Sequence, residues 1–334
     1  VFVTAKEKKE RGTEKMISRR AFLGRAAGLA AVAGGVGGAA YWLHSDQPLR
    51  MYKKGVVQKR KSFVVSPAAG AAAAVMVRGG DLQKRIGAAL EKLGGLGHFV
   101  RPGDRVMLKP NMAWDRAAQY GANTQPAVIE TLVQMCRKVG VKSVVVAENP
   151  VNDAKLCAES SGIGEVCRRL SVPLHTPGED DFVEVRLDGK VLKTWPIMKK
   201  LYAVDKVINL PIPKHHRLSR ITCALKNWLG VAGGQRRKLH QNIHETIADL
   251  VSAFPPTLVI ADGSKMLMRN GPTGGRLSDV KSSDVLVAGV APATVDSALL
   301  PFLDAELSEA RHITEAVSRG LGTTDAGKIA RIEI

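Results

Sequence analysis

The chain has 334 residues, 45% of them hydrophobic, and a formal net charge of +18, so a globular protein with a proper buried core is the default. The charge is uneven: residues 1–60 hold 13 Lys and Arg against 4 Asp and Glu, which leaves the rest of the chain only mildly basic. With aromatics at 4% and no recognised binding motif, that balance argues against a nucleic-acid-binding body, and no nucleic acid is expected as a partner.

The first expected element is a targeting segment. Ser18-Arg19-Arg20-Ala21-Phe22-Leu23-Gly24 matches the twin-arginine export pattern and precedes an uncharged run of Ala, Gly, Val and Leu from Ala26 to Ala40. The run is too short and glycine-rich for a membrane-spanning helix, which needs about 20 apolar residues. Residues 1–40 are therefore expected to be a twin-arginine signal peptide. The twin-arginine translocase would be the partner during export and the periplasm, or another exported location, the destination; an uncleaved signal acting as a membrane anchor is the alternative. Residues 41–62, with Lys53, Lys54, Lys59, Arg60 and Lys61, are expected to form a basic linker.

From residue 63 to 334 short β-branched runs alternate with helical periodicity, the pattern of an α/β domain. Asp81 to Leu93 is expected as an amphipathic helix capped by Asp81, with Leu82, Ile86, Leu90 and Leu93 on one stripe. Pro102-Gly103-Asp104 launches a strand at residues 105–108; a helix follows from Pro126 to Val139, stopped by Gly140, and then a strand over 142–147. Further helices are expected near 162–170, 240–254, 293–303 and 306–319, and further strands near 183–187, 206–210, 257–261 and 285–289. The Ala and Gly run at 68–74 reads as low complexity. The expected architecture is a mixed or mostly parallel sheet flanked by helices, in a single compact domain, with a division into two lobes near residue 190 as the alternative.

In open α/β sheets ligands bind beyond the carboxyl ends of the strands. Four such ends carry unusual polar groups: Lys109-Pro110-Asn111, Glu148-Asn149-Pro150, Pro211 to His216 and Asp262-Gly263. Singly each has an ordinary explanation, since Asn-Pro and Asp-Gly are common turn dipeptides and a lysine beside a proline can be a solvated one; together they point to a pocket. Adjacent His215 and His216 point in different directions, so at most one of them is expected to face it. His240 and His244, four apart on an expected helix, could clasp a metal only with a third ligand, and Glu245 stands one place off for the H-E-x-x-H pattern, so no metal site is expected. The four cysteines, Cys136, Cys157, Cys167 and Cys223, show no C-x-x-C spacing and are expected as buried thiols, not as ligands of an iron-sulfur cluster.

The ordered series KPN at 109–111, INLPIPKHHRL at 208–218, T-x-x-x-KN-x-x-G at 222–230, the His240 segment, ADG at 261–263, RNGPTGG at 269–275 and GLG at 320–322 resembles the bacterial and archaeal domain-of-unknown-function family numbered 362, over about residues 75–334. That resemblance implies roles for Lys109 and Asn111, for Lys214 and His216 in a PKxKxH-like segment, for the Lys226-Asn227 pair, and for the turn with Gly271, Pro272 and Gly274; the earlier lysine of the PKxKxH pattern is Ile212 here. The family has no generally established activity. Some members are fused to ferredoxin-like modules, whose cysteines this chain lacks.

Lys109, Lys214, Lys226 and either Arg236 or Arg237 supply positive charge, and Asn111, Asn227, His216 and His240 supply neutral groups. This inventory suits a small anionic ligand, phosphate- or carboxylate-bearing, with backbone N–H groups of Gly271 and Gly274 close to it. Lys214 and His216 are expected closest to the chemistry, His216 as general acid or base and Asp262 orienting it or holding a cation. The cofactor is left open. A redox accessory protein that docks to an electron carrier at the membrane is the alternative function.

Overall fold

Seven strands that run one way and one that runs against them make the central sheet. In this computed structural model, which describes residues 57–334, the spatial order is Ile329–Glu333, Ala74–Arg78, Val285–Gly289, Leu258–Asp262, Lys206–Leu210, Arg105–Pro110, Ser143–Ala147 and Leu174–His175. Both pairings of Val285–Gly289, with Ala74–Arg78 and with Leu258–Asp262, are antiparallel, and all the others are parallel. The carboxyl ends of 105–110, 143–147, 206–210 and 258–262 therefore open on one edge, as the sequence leads one to expect. The chain leaves Arg105–Pro110 toward one side of the sheet and Lys206–Leu210 toward the other, yet these two strands are neighbours, with Lys109 beside Asn209. Such a switch point leaves a crevice at the strand ends.

Period-two alternation splits the core between the two faces. Val106, Leu108, Ile208 and Leu210 pack on one face under the helices Leu82–Lys92, Pro126–Val139 and Ile163–Arg169; Met107, Val207, Trp195 and Trp228 pack on the other with Ile243–Ala253, Pro292–Leu299 and Arg311–Val317. The Asp81 side chain accepts from Lys84 N and caps the first of these helices, and Gly140 closes Pro126–Val139 in the left-handed conformation. The architecture is thus α/β, a mixed sheet flanked by helices. The described residues make one compact unit, because the hairpin of Phe182–Arg186 and Thr194–Met198 near residue 190 feeds Val185, Trp195 and Ile197 into the same core.

Several expected elements differ. The helix expected over 240–254 begins only at Ile243, after a 3-10 turn Arg236–His240, and the one over 306–319 shortens to Arg311–Val317. The Ala-rich run ends in a strand, Ala74–Arg78, whose Val75 and Val77 face one core layer and Met76 the other. The strand near 183–187 belongs to a separate three-stranded sheet, where it also pairs with Gln58–Lys59. The end of the expected linker is therefore anchored: Lys61 Nζ donates to the carbonyls of Val204 at 2.6 Å and Leu201 at 3.3 Å, and Phe63 is buried. The rest of that linker and the whole expected signal segment lie outside the described residues. Among the described residues no helix is long and apolar enough to cross a membrane.

A second, four-stranded sheet lies beyond the strand ends, in the order Arg220–Thr222, Lys214–His216, Lys265–Leu267 and Val280–Ser282. Its ribbon 214–222 carries the Lys-His-His triplet.

Candidate functional site

Lys109 occupies the next-to-last position of its strand, fully buried, and meets Glu148 from the end of the neighbouring strand. Glu148 Oε2 accepts from Lys109 Nζ at 2.8 Å and from Met112 N at 3.3 Å, and Oε1 accepts from Asn149 N at 2.9 Å. Lys109 Nζ donates a second bond to Pro110 O at 2.9 Å. Burial pulls the lysine down and pushes the carboxyl up, while their mutual attraction opposes both shifts. Gly230 is what allows the pair to sit there: a methyl group at that position would overlap the Glu148 carboxylate and lie 2.6 Å from Lys109 Nζ.

A ladder of amides crosses the switch point. Asn209 Nδ2 donates to Ala224 O at 2.9 Å, Asn227 Nδ2 to Asn209 Oδ1 at 2.8 Å, Asn111 Nδ2 to Asn227 Oδ1 at 3.0 Å, and Lys214 Nζ to Asn111 Oδ1 at 3.2 Å. Lys214 also bonds the carbonyl of Ala122. Thr124 ties the two strand ends together, its hydroxyl accepting from Asn111 N at 2.8 Å and donating to Leu210 O at 2.6 Å. Asn111 and Asn227 thus spend their amides on the scaffold that fixes Lys214 and the turn bearing Lys226. That short helix, Ala224–Asn227, is held from behind by buried Asp296, whose carboxyl oxygens accept from Ala224 N at 2.7 Å and Leu225 N at 3.1 Å.

His216 lies on the same side of its strand as Lys214, and His215 on the other, as alternation requires. The Nδ1 of His216 accepts from Leu218 N at 3.1 Å and Ser219 N at 3.2 Å, which puts the proton of the neutral ring on Nε2. The ring stacks on His240, centroids 6.3 Å apart and planes 20° from parallel. Burial, and then the positive charge of Lys226, take His216 down to about 2. At neutral pH it is an uncharged donor through Nε2, not a group poised to exchange protons near pH 7. Burial and Lys226 lower His240 as well.

Lys226 is half-buried, and its ammonium has neither a hydrogen bond nor an ion pair among the described residues. Burial and neighbouring Arg236 bring it down to about 8. Arg236 donates to Asn149 O at 2.7 Å and to Pro150 O, near enough to Lys226 and Glu148 for their charges to act on one another; Arg237 is exposed.

The structure thus brings together Lys109, Asn111, Lys214, His216, Lys226, Asn227 and His240. It does not bring Asp262 or the glycine turn to His216. Asp262 Oδ1 accepts from Ser264 N at 3.0 Å and Ser264 Oγ at 2.5 Å, and Arg85 reaches that same hydroxyl at 2.7 Å. Gly271 N donates to His215 Nδ1 at 3.2 Å, on the opposite side of the ribbon, and Gly274 lies against Leu267. His240 and His244 do not share a helix face, because the helix starts between them; His244 stacks on His312 at 5.6 Å. The Glu148 strand end was named from the sequence without a role for Glu148 itself, Asn209 and Thr222 stood within motifs without one, and Asp296 was not singled out. Thr222 sits across the ribbon from Lys214, and its buried hydroxyl has no hydrogen-bond partner among the described residues. Asn209, an amide between Ile208 and Leu210, was a readable signal beside Glu148.

The family described as "Domain of unknown function (DUF362)" matches residues 106–300. Thylakoid-associated protein sll1697 of Synechocystis sp. is 28% identical over 258 residues, which cover 73% of this chain and 76% of that protein. The lactate racemase apoprotein from Thermoanaerobacterium thermosaccharolyticum superposes with a TM-score of 0.39 at 8% identity, over 63% of this chain and 53% of that one, so this chain spans about half of its length. With more than half of the 334 residues matched, and the KPN, PKHH and KN segments of the match joined by hydrogen bonds between Asn111, Lys214 and Asn227, the chain belongs to the DUF362 family.

Proposed function

We propose that the side-chain cluster at the switch point binds a small anion bearing a carboxylate or phosphate. The observation that carries this reading is a charge imbalance. After burial, Lys226 lowers Lys214 and Arg236 lowers Lys226, whereas the one carboxylate among them, Glu148, forms its ion pair with Lys109 and attracts Lys214 and Arg236 only through space. Three cationic side chains gathered without a matching acid cost free energy, and an anion relieves that cost through charge-assisted bonds of about twice neutral strength. Neutral His216 contributes a directional N–H, and Thr222 a hydroxyl with no hydrogen-bond partner among the described residues.

Melting curves in oxalate and in inorganic phosphate, at low and high sodium chloride, test the reading. Either anion is expected to raise the melting temperature by several degrees at low salt, and Lys226→Met, which disturbs no hydrogen bond, is expected to abolish the rise. An equal rise in wild type and Lys226→Met would place anion binding elsewhere.

A further inference from the structure

The three lysines of the cluster are not equivalent. Lys109 is closed in by Glu148 and a carbonyl, and Lys214 is buried with its ammonium on Asn111 and Ala122. Lys226 alone of the three is partly open to solvent and without a hydrogen-bond or ion-pair partner among the described residues. The groups whose charge acts between them and Lys226 are Lys214 and His216 from the ribbon, Arg236 and His240 from the 3-10 turn, and His312 from the helix Arg311–Val317, all cations or imidazoles. From the helix Pro292–Leu299 the carboxyl of Asp296 faces the backbone N–H groups of Ala224 and Leu225. An ammonium so placed is disfavoured relative to the amine, a known way of making lysine nucleophilic. Its backbone is also fixed from two sides, by Asp296 on Ala224 and Leu225 and by the amide ladder on Asn227.

We propose that Lys226 forms an imine with a small anionic oxo compound, a 2-oxo acid being the simplest. This rests on the anion-binding reading, because the substrate's carboxylate is what the surrounding cations hold. The ammonium releases a proton, the nitrogen lone pair bonds to the carbonyl carbon, and the C=O π pair moves to oxygen. Oxygen then leaves as water while nitrogen and carbon form C=N. One ammonium and one oxo group give one protonated imine and one water, with no change of oxidation state. His216, whose proton sits on Nε2, is the neutral donor of the cluster that can bond the oxygen that gains charge. The half-buried lysine falling to about 8 agrees with this role.

Sodium borohydride added to the full chain with glyoxylate or pyruvate reduces such an imine to a stable adduct. Peptide mass spectrometry is expected to find that adduct at Lys226 in large excess over every other lysine, with a labelling rate that climbs through a midpoint near pH 8. Lys226→Arg keeps the charge but has no amine to condense, and is expected to lose the adduct. An adduct at Lys214, or one scattered over surface lysines, overturns the proposal. So does a full response to oxalate in wild type with no adduct at Lys226, although anion binding then stands. No response to oxalate and no adduct sinks both.

Discussion

Glu148 and Lys109 meet at 2.8 Å, almost fully shielded from water, beneath a glycine with no room for a side chain. A buried pair of this kind tolerates loss of both partners better than loss of one, because a lone buried charge has nothing to offset its desolvation.

Glu148→Gln is accordingly expected to destabilise the protein by about 3–5 kcal/mol, and Gly230→Ala by a comparable amount since its methyl group displaces the carboxylate. Urea unfolding measures both. The double variant Lys109→Met, Glu148→Leu is expected to recover most of the loss, and a double variant as unstable as Glu148→Gln would show that the pair is not the cause.

Acid sensitivity should come from the buried imidazoles. His216 falls to about 2 and fully buried His312 to about 3, both by burial first, whereas an unfolded histidine titrates near 6.5. Below that value the unfolded chain binds protons the folded one refuses. The rings' contribution is therefore intact above pH 6.5 and is lost as pH falls toward 3, by about 1.4 kcal/mol per pH unit for each ring. Asp296 works the other way: burial raises it to about 7, so its contribution is greatest below the unfolded value and is lost as pH rises through 7. In denaturation from pH 4 to 6.5, His312→Leu is expected to flatten the slope by about one proton and Asp296→Asn to steepen it. Unchanged slopes would mean that neither group titrates between the two states.

Thr222→Val tests whether the unpartnered hydroxyl serves a ligand. The isosteric change removes a buried group that satisfies nothing, so stability is expected to hold or to rise by up to about 1 kcal/mol. Binding of oxalate, read by calorimetry, is expected to weaken by about 0.5–1.5 kcal/mol, the worth of one neutral hydrogen bond. A loss of stability with unchanged affinity would make the hydroxyl structural.

Much of this was legible in the order of residues. Alternating apolar runs marked the strands at 105, 143, 206, 258 and 285, and the polar residues at their ends fell where the fold opens, because a strand buried on both faces can place a lysine or an amide only at its margin. Lys109, Asn111, Lys214, His216, Lys226 and Asn227 were found by that rule and by resemblance to a family. The strand at 74–78 was missed where the alanine run gives way to Val75-Met76-Val77, three apolar residues too few to show a period beside small side chains. The shared helix face of His240 and His244 failed because the chain turns as a 3-10 helix before the α-helix begins.

By itself the sequence determined the alternation of strands and helices, the strand ends where chemistry can gather and an excess of cations over acids near them. Only tertiary structure decided which charges cancel. Glu148 reaches Lys109 and leaves Lys226 alone, and Asp262 turns to Ser264 instead of His216, because residues far apart along the chain are paired by how strands and loops pack, and local pattern carries no record of that distance.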